Sequence, residues 1–322
     1  MSTAAALTPA ACTEFGVDGN PPPSNDAMAT DPLPDAAAPD APGNAPSVAV
    51  TNLDQPTVLL RAGETLYIGA ADGVHQWRPD TGAAVKLTSA GPVRGLARSR
   101  DGLVIHAGTS LSFFGRDADA SPLDTPCAAN GSVQAVAVFA DAAFYGTSDE
   151  LRTTFASVEC KFASNTVAKA SATSVLFADA SALYRYQPGD GGTIDMCTAS
   201  ADCGGSSKRI QAGIAGVTAM VVDEDYVYWA TATSVFGAPK AGGASVTLAT
   251  NQGLPRALTT GAGAVFWTNY EGGTTMSASV SAPGAARVLQ RSLDKPWGIV
   301  LYGSDVFVAE SAKNRIIRFS RL

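Results

Sequence analysis

Only two side chains in this chain of 322 residues have an ordinary pKa suited to moving protons near neutrality, His75 and His106. His75 sits in Gly73-Val74-His75-Gln76-Trp77 and His106 in Leu103-Val104-Ile105-His106-Ala107. No serine and carboxylate can be assigned to either as a nucleophilic relay, so each reads as satisfied by a neighbour or open to solvent. The acidic runs Asp117-Ala118-Asp119 and Asp223-Glu224-Asp225 lack the alternating ligands, central glycine and distal Glu of a calcium loop. They read as turn carboxylates that bond nearby backbone amides. Gly189-Asp190-Gly191-Gly192 and Glu271-Gly272-Gly273 match neither a phosphate loop nor a dinucleotide fingerprint and read as hairpin turns. Asn130-Gly131-Ser132 is a formal glycosylation acceptor only. No catalytic residue, metal site or cofactor is assigned.

The five cysteines point to a compartment. Cys197 and Cys203 flank a short polar stretch and are expected to form a disulfide across a hairpin. Cys127 and Cys160 fall in successive repeats and form the second expected pair, leaving Cys12 alone. Zinc fits poorly, because a pair spaced in this way without nearby histidine does not supply four ligands. Ala10-Ala11-Cys12 matches the end of a bacterial lipoprotein signal, with Cys12 as the lipidated residue, although residues 1 to 11 lack a basic start and a long apolar core. A chance Ala-Ala-Cys stays open as the other account. Residues 1–45 form an export or tether segment: from Asn20 to Pro46 large apolar side chains are nearly absent, so the segment cannot offset its own ordering entropy. The expected location is exported: periplasmic, outer-membrane lipoprotein or extracellular.

Charge excludes other partners. The formal net charge is −7, with 22 basic residues and no basic cluster, which argues against nucleic acid. No apolar run approaches the roughly 18 residues that read as a membrane span, so membrane contact is expected only through a lipid anchor.

Residues 46–322 carry a repeat of about forty residues built from short strands, the signature of radial sheet units. One column is small almost throughout: Val58, Gly95, Ala135, Val175, Ala219, Ala257 and Gly298. A second, later in each repeat, is mostly aromatic: Tyr67, Val104, Phe144, Tyr184, Tyr228, Phe266 and Phe307. Radial sheets converge on an axis, so small side chains belong to inner strands and bulky ones further out, where the gap between blades widens. The columns predict an all-β, seven-bladed β-propeller in one domain, with six or eight blades left open. After Phe307 the chain supplies a third strand but no fourth. Ser47-Val48-Ala49-Val50 is expected to complete the last blade, joining the N-terminal strand to three C-terminal ones.

Val227-Tyr228-Trp229-Ala230 and Val265-Phe266-Trp267-Thr268-Asn269, with their following turns, resemble repeats of YWTD and NHL-type β-propellers. In style they are closest to exported myxobacterial propeller proteins and lipoproteins. The resemblance implies a binding module for a protein or glycan; a few related rings are metal-assisted lyases or lactone hydrolases, for which His106, Glu310 and a divalent cation would be the first suspects. One departure stands out. Where the YWTD motif holds Asp, this chain has Ala70, Ala107, Thr147, Gln187, Thr231, Asn269 and Glu310, which puts the family's carboxylate network in doubt.

Immediately before the small column, where each inner strand begins, lie Thr57, Arg94, Gln134, Ser174, Thr218, Arg256 and Trp297. A ring of differing polar groups around one opening is how a propeller presents a ligand site, although a polar mouth is also what water filling alone would require. Arg94 and Arg256 suit a carboxylate or other anion; Gln134 and Trp297 flank them, and Asn269 and Glu310 are expected near the same face. The expected function is an exported or cell-envelope module binding a protein, peptide or glycan, with an anionic partner favoured, as a monomer. The metal-assisted enzyme is the alternative.

Overall fold

The computed structural model describes residues 45–321 except 101, 116–131, 156–164, 169–171, 190, 199–202 and 204–206. The chain divides into Met1–Pro39 and a second unit, Asp40–Leu322, which contains every described residue.

Alternating apolar and small residues give short strands bounded by Gly, Asn and Asp turns. These assemble into seven antiparallel sheets, the seven blades of a β-propeller. The inner strands, in order, are Val58–Ala62, Val93–Arg98, Ala135–Phe139, Val175–Ala178, Ala219–Val222, Pro255–Gly261 and Pro296–Tyr302. Each packs against the inner strands of the blades on either side, and the seventh meets the first, so the ring closes. Six blades have four strands; among the described residues blade 2 has three, ending at Ser110–Gly115.

Every member of the small column lies on an inner strand. Its steric cause is visible at the glycines, where a Cβ would crowd the next blade. One on Gly298 would lie 2.7 Å from the Thr57 carbonyl oxygen of the next blade, and one on Gly95 would lie 3.1 Å from Val136 Cγ1. The aromatic column lies on the second strands, where Phe144, Tyr184, Tyr228 and Phe307 are among the largest fully buried side chains. These rings fill the widening space between blades.

Blade 7 is completed as the sequence implies. Ser47–Val50 pairs antiparallel with Arg315–Ser320, Ser47 opposite Arg318 and Val48 opposite Ile317. Val50 and Leu53 are buried with Phe307 and Ile316 of the same blade and with Trp77 of blade 1. Asn314, in the left-handed region at φ 54°, pins the incoming chain: its carbonyl accepts from the Leu53 amide at 3.2 Å and its side-chain oxygen from the Gln55 amide at 3.0 Å. Closure in this way covers the Arg315–Ser320 edge, which would otherwise be open to pairing with another chain.

Cys197, ending the third strand of blade 4, is disulfide-bonded to Cys203 with Cα atoms 5.1 Å apart, and both are buried. The other expected pair, Cys127 and Cys160, and Cys12 with its lipid attachment lie outside the described residues, as do Asp117, Asp119 and Asn130.

Candidate functional site

The seven residues that precede the small column converge. Thr57, Arg94, Gln134, Ser174, Thr218, Arg256 and Trp297 all line one cavity of about 870 Å³ at the end of the ring where the inner strands begin. They share one repeat position at the start of seven inner strands, and rotation about the axis makes that position a rim.

The rim residues do different work. Thr57 Oγ1 donates to the Val93 carbonyl of the next blade at 2.9 Å, and Thr218 Oγ1 does the same to the Pro255 carbonyl at 2.9 Å. Arg256 lies over two rings, its guanidinium carbon 5.3 Å from the Tyr270 centroid and 5.1 Å from that of Trp297. Tyr270 and Trp297 meet edge to face at 5.3 Å, and Lys295 Nζ lies 4.7 Å from the centre of Tyr270. This cation–π packing holds the Arg256 guanidinium without an ion pair. Among the described residues neither Arg94 nor Arg256 has a carboxylate partner, and no Asp or Glu lines the cavity. In a chain of net charge −7 this opening is locally cationic.

His106 also lines the cavity, which its sequence position did not reveal. It pairs with Gly95 across the first hairpin of blade 2; the corresponding second-strand residues are Gly69 in blade 1, Gly146 in blade 3, Tyr186 in blade 4, Ala230 in blade 5 and Thr268 in blade 6. An imidazole therefore occupies a place usually kept small. It is 3% exposed, and Nε2 makes no hydrogen bond of good geometry. Burial pushes its pKa down; the carbonyls of Gly108 and Val133 oppose that shift and the charge of Arg94 adds to it. His75, by contrast, lies in the third strand of blade 1, where Nε2 meets Asp72 Oδ1 at 2.9 Å. The two histidines do not share the cavity.

Asn269 and Glu310 end their second strands as expected, but neither lines the cavity. Asn269 is buried and donates to Gln252 Oε1 at 2.8 Å and Thr274 Oγ1 at 3.0 Å. Glu310 has no exposed surface; its carboxylate accepts from the Asp294 amide at 2.9 Å and from Arg315 Nε at 2.5 Å. Both side chains turn inward to bind the hairpins beside them. Blade 3 does the same with Thr147, whose hydroxyl bonds Asp149 Oδ1 at 2.9 Å. Thus the position that is Asp in the YWTD motif fastens turns with varied polar groups in blades 3, 6 and 7. Glu310 in blade 7 and His106 in blade 2 are not brought together for metal-assisted chemistry.

The acidic turn residues behave as turn chemistry requires. Asp223 Oδ1 accepts the amides of Asp225 and Tyr226 at 3.0 and 2.8 Å, while Oδ2 takes the Tyr228 hydroxyl at 2.8 Å. Burial and this carboxylate raise the Tyr228 pKa above the ordinary phenol range. Asp179 repeats the pattern in blade 4 and also meets Lys240 Nζ at 2.7 Å. Burial alone would raise its pKa; the hydrogen bonds from Lys240, Ser181 and Ala182 outweigh it and bring the carboxyl down to about 2.

No family model and no curated protein matches this chain. Solved structures do. A catalytically inactive virginiamycin B lyase from Staphylococcus aureus with quinupristin matches at TM-score 0.67 and 14% identity, covering 87% of this chain and 99% of that one. The Cps50 (Swd1) β-propeller domain of Myceliophteria thermophila matches at TM-score 0.66 and 14% identity, covering 87% and 100%. A nidogen/laminin complex structure matches at TM-score 0.51 and 13% identity, covering 80% and 89%. At such identities these likenesses establish the propeller fold and carry no activity across to this chain.

Proposed function

We propose that this propeller is a ligand-binding module whose mouth captures an anionic peptide or glycan. One observation carries the reading: Arg94 and Arg256 line a cavity of about 870 Å³ that, among the described residues, has no carboxylate in its lining. Guanidinium groups recognise carboxylates through paired N–H donors, and a concave site of this size suits a ligand larger than a simple ion. The same proposal puts the protein outside the cytoplasm as a monomer. The Cys197–Cys203 disulfide supports an oxidising compartment, while lipidation at Cys12 rests on sequence alone.

The test is a thermal-shift and calorimetric screen of acidic and neutral peptides and sugars against the wild type and an Arg94→Ala, Arg256→Ala double variant. Acidic compounds should stabilise the wild type only. Equal responses from both proteins would end the proposal.

A further inference from the structure

Building on that reading, we propose that the ligand carries two carboxylates, one for each arginine, and lies across the mouth rather than at one side of it. Blade 2, which supplies Arg94, and blade 6, which supplies Arg256, are four steps apart one way around the ring of seven and three the other. No two blades of such a ring can be further apart. Arg94 and Arg256 therefore stand on opposite sides of the axial opening, at equivalent positions on their strands.

The remaining five rim positions carry no charge: Thr57, Gln134, Ser174, Thr218 and Trp297. Positive charge is thus concentrated at two opposed points with neutral hydrogen-bonding groups between them. A single carboxylate can satisfy only one of these points, and the cavity, at about 870 Å³, exceeds what such a group fills. Two linked carboxylates meet both, the second binding as an intramolecular step at high effective concentration.

The poles are also unlike. Arg256 is braced by Tyr270 and Trp297, so little freedom is lost when a carboxylate binds its outer nitrogens. Arg94 is exposed and, among the described residues, its guanidinium packs over no ring; His106 is its neighbour in the lining. A ligand with an apolar or ring group next to one carboxylate would bind in one orientation, that group against Trp297.

The experiment is calorimetry with a homologous series of α,ω-dicarboxylates and the monocarboxylates of matching length. The wild type should show one preferred length, bound about 10²-fold more tightly than its monocarboxylate. Arg94→Gln should abolish the length preference and reduce the dicarboxylate to monocarboxylate affinity; because Arg94 is exposed, the fold should be unaltered by circular dichroism. Arg256→Gln should do likewise from the other side. Dicarboxylates that bind no better than monocarboxylates, or a length optimum that survives either substitution, would overturn the bridging inference while leaving anion binding intact. If no acid binds the wild type more tightly than the double variant, both readings fall.

Discussion

The Thr57 hydroxyl donates to the Val93 carbonyl, 2.9 Å away in the next blade, and Val93 is the residue directly before Arg94. The same stitch recurs four blades on, where Thr218 holds the carbonyl of Pro255, directly before Arg256, also at 2.9 Å. Trp297 is held by its own carbonyl, which accepts from Thr268 Oγ1 at 2.5 Å. In each case the preceding blade fixes the backbone from which a mouth residue projects. Blade-to-blade packing and site geometry are therefore one arrangement.

Thr57→Val keeps the shape and removes the donor. It should cost about 1 kcal/mol in urea unfolding, the net worth of one such bond. If Thr57 positions Arg94, anion affinity should fall in the wild type but not further in an Arg94→Gln background. Additive losses in that double-mutant cycle would reduce Thr57 to a purely structural role.

Glu310 divides position from function. Its register puts it near the mouth, yet its side chain is sealed against Arg315 and the Asp294 amide. Glu310→Gln weakens a buried charge-assisted contact and should destabilise by about 1–3 kcal/mol. Ligand affinity measured well below the melting transition should be unchanged. A lost affinity in a folded Glu310→Gln protein would return this residue to the site.

Much of this was legible in the sequence because a propeller writes its geometry repeatedly. A mostly small column at one step and a mostly aromatic one at another, each seven times over, constrain strand order, inner and outer positions and the rim together. The shared closure of blade 7 followed from counting strands after Phe307. What did not follow was side-chain direction at the ends of second strands. Glu310 turns inward to accept a hairpin amide and Asn269 to donate to the side chains of Gln252 and Thr274, and the repeat says nothing about which way a polar group will turn. His106 entered only as a suspect of the metal-assisted alternative: in the sequence it is one more strand residue, and its register partner Gly95 shows that it fills a space kept small in most other blades. Tyr270 and Lys295 were invisible because their role depends on loops that come together only in the ring.

The N-terminal strand should be the weak point of the ring. Removing residues through Leu53 exposes the Arg315–Ser320 edge and deletes the buried side chains of Val50 and Leu53. Burial of two such groups is worth about 3–6 kcal/mol, and the freed edge is a template for association. The truncated protein is expected to unfold at lower urea concentration and to aggregate in light scattering. Unchanged stability would mean that the strand does not close the ring.

His106 sets an acid limit distinct from that of the carboxylates. Its native pKa lies below the ordinary 6.5, chiefly through burial, so the unfolded chain takes up the proton first. Stability from this group is complete above about pH 6.5 and is lost as pH falls from there towards the lowered native value, at about 1.4 kcal/mol for each pH unit separating the native and unfolded values. Asp179 acts later, because its native pKa of about 2 against 3.8 unfolded leaves its contribution intact until the solution is more acidic. Replacing His106 with Asn should therefore flatten the stability profile as pH falls below about 6.5 while leaving the more acidic limb in place. Ligand binding should show the opposite trend: an anion in the mouth favours the protonated ring beside Arg94, so affinity should rise as the wild type is acidified through the same interval. That rise should be absent from His106→Asn. If both proteins gain affinity equally, the added charge comes from elsewhere and His106 has no part in the mouth's electrostatics.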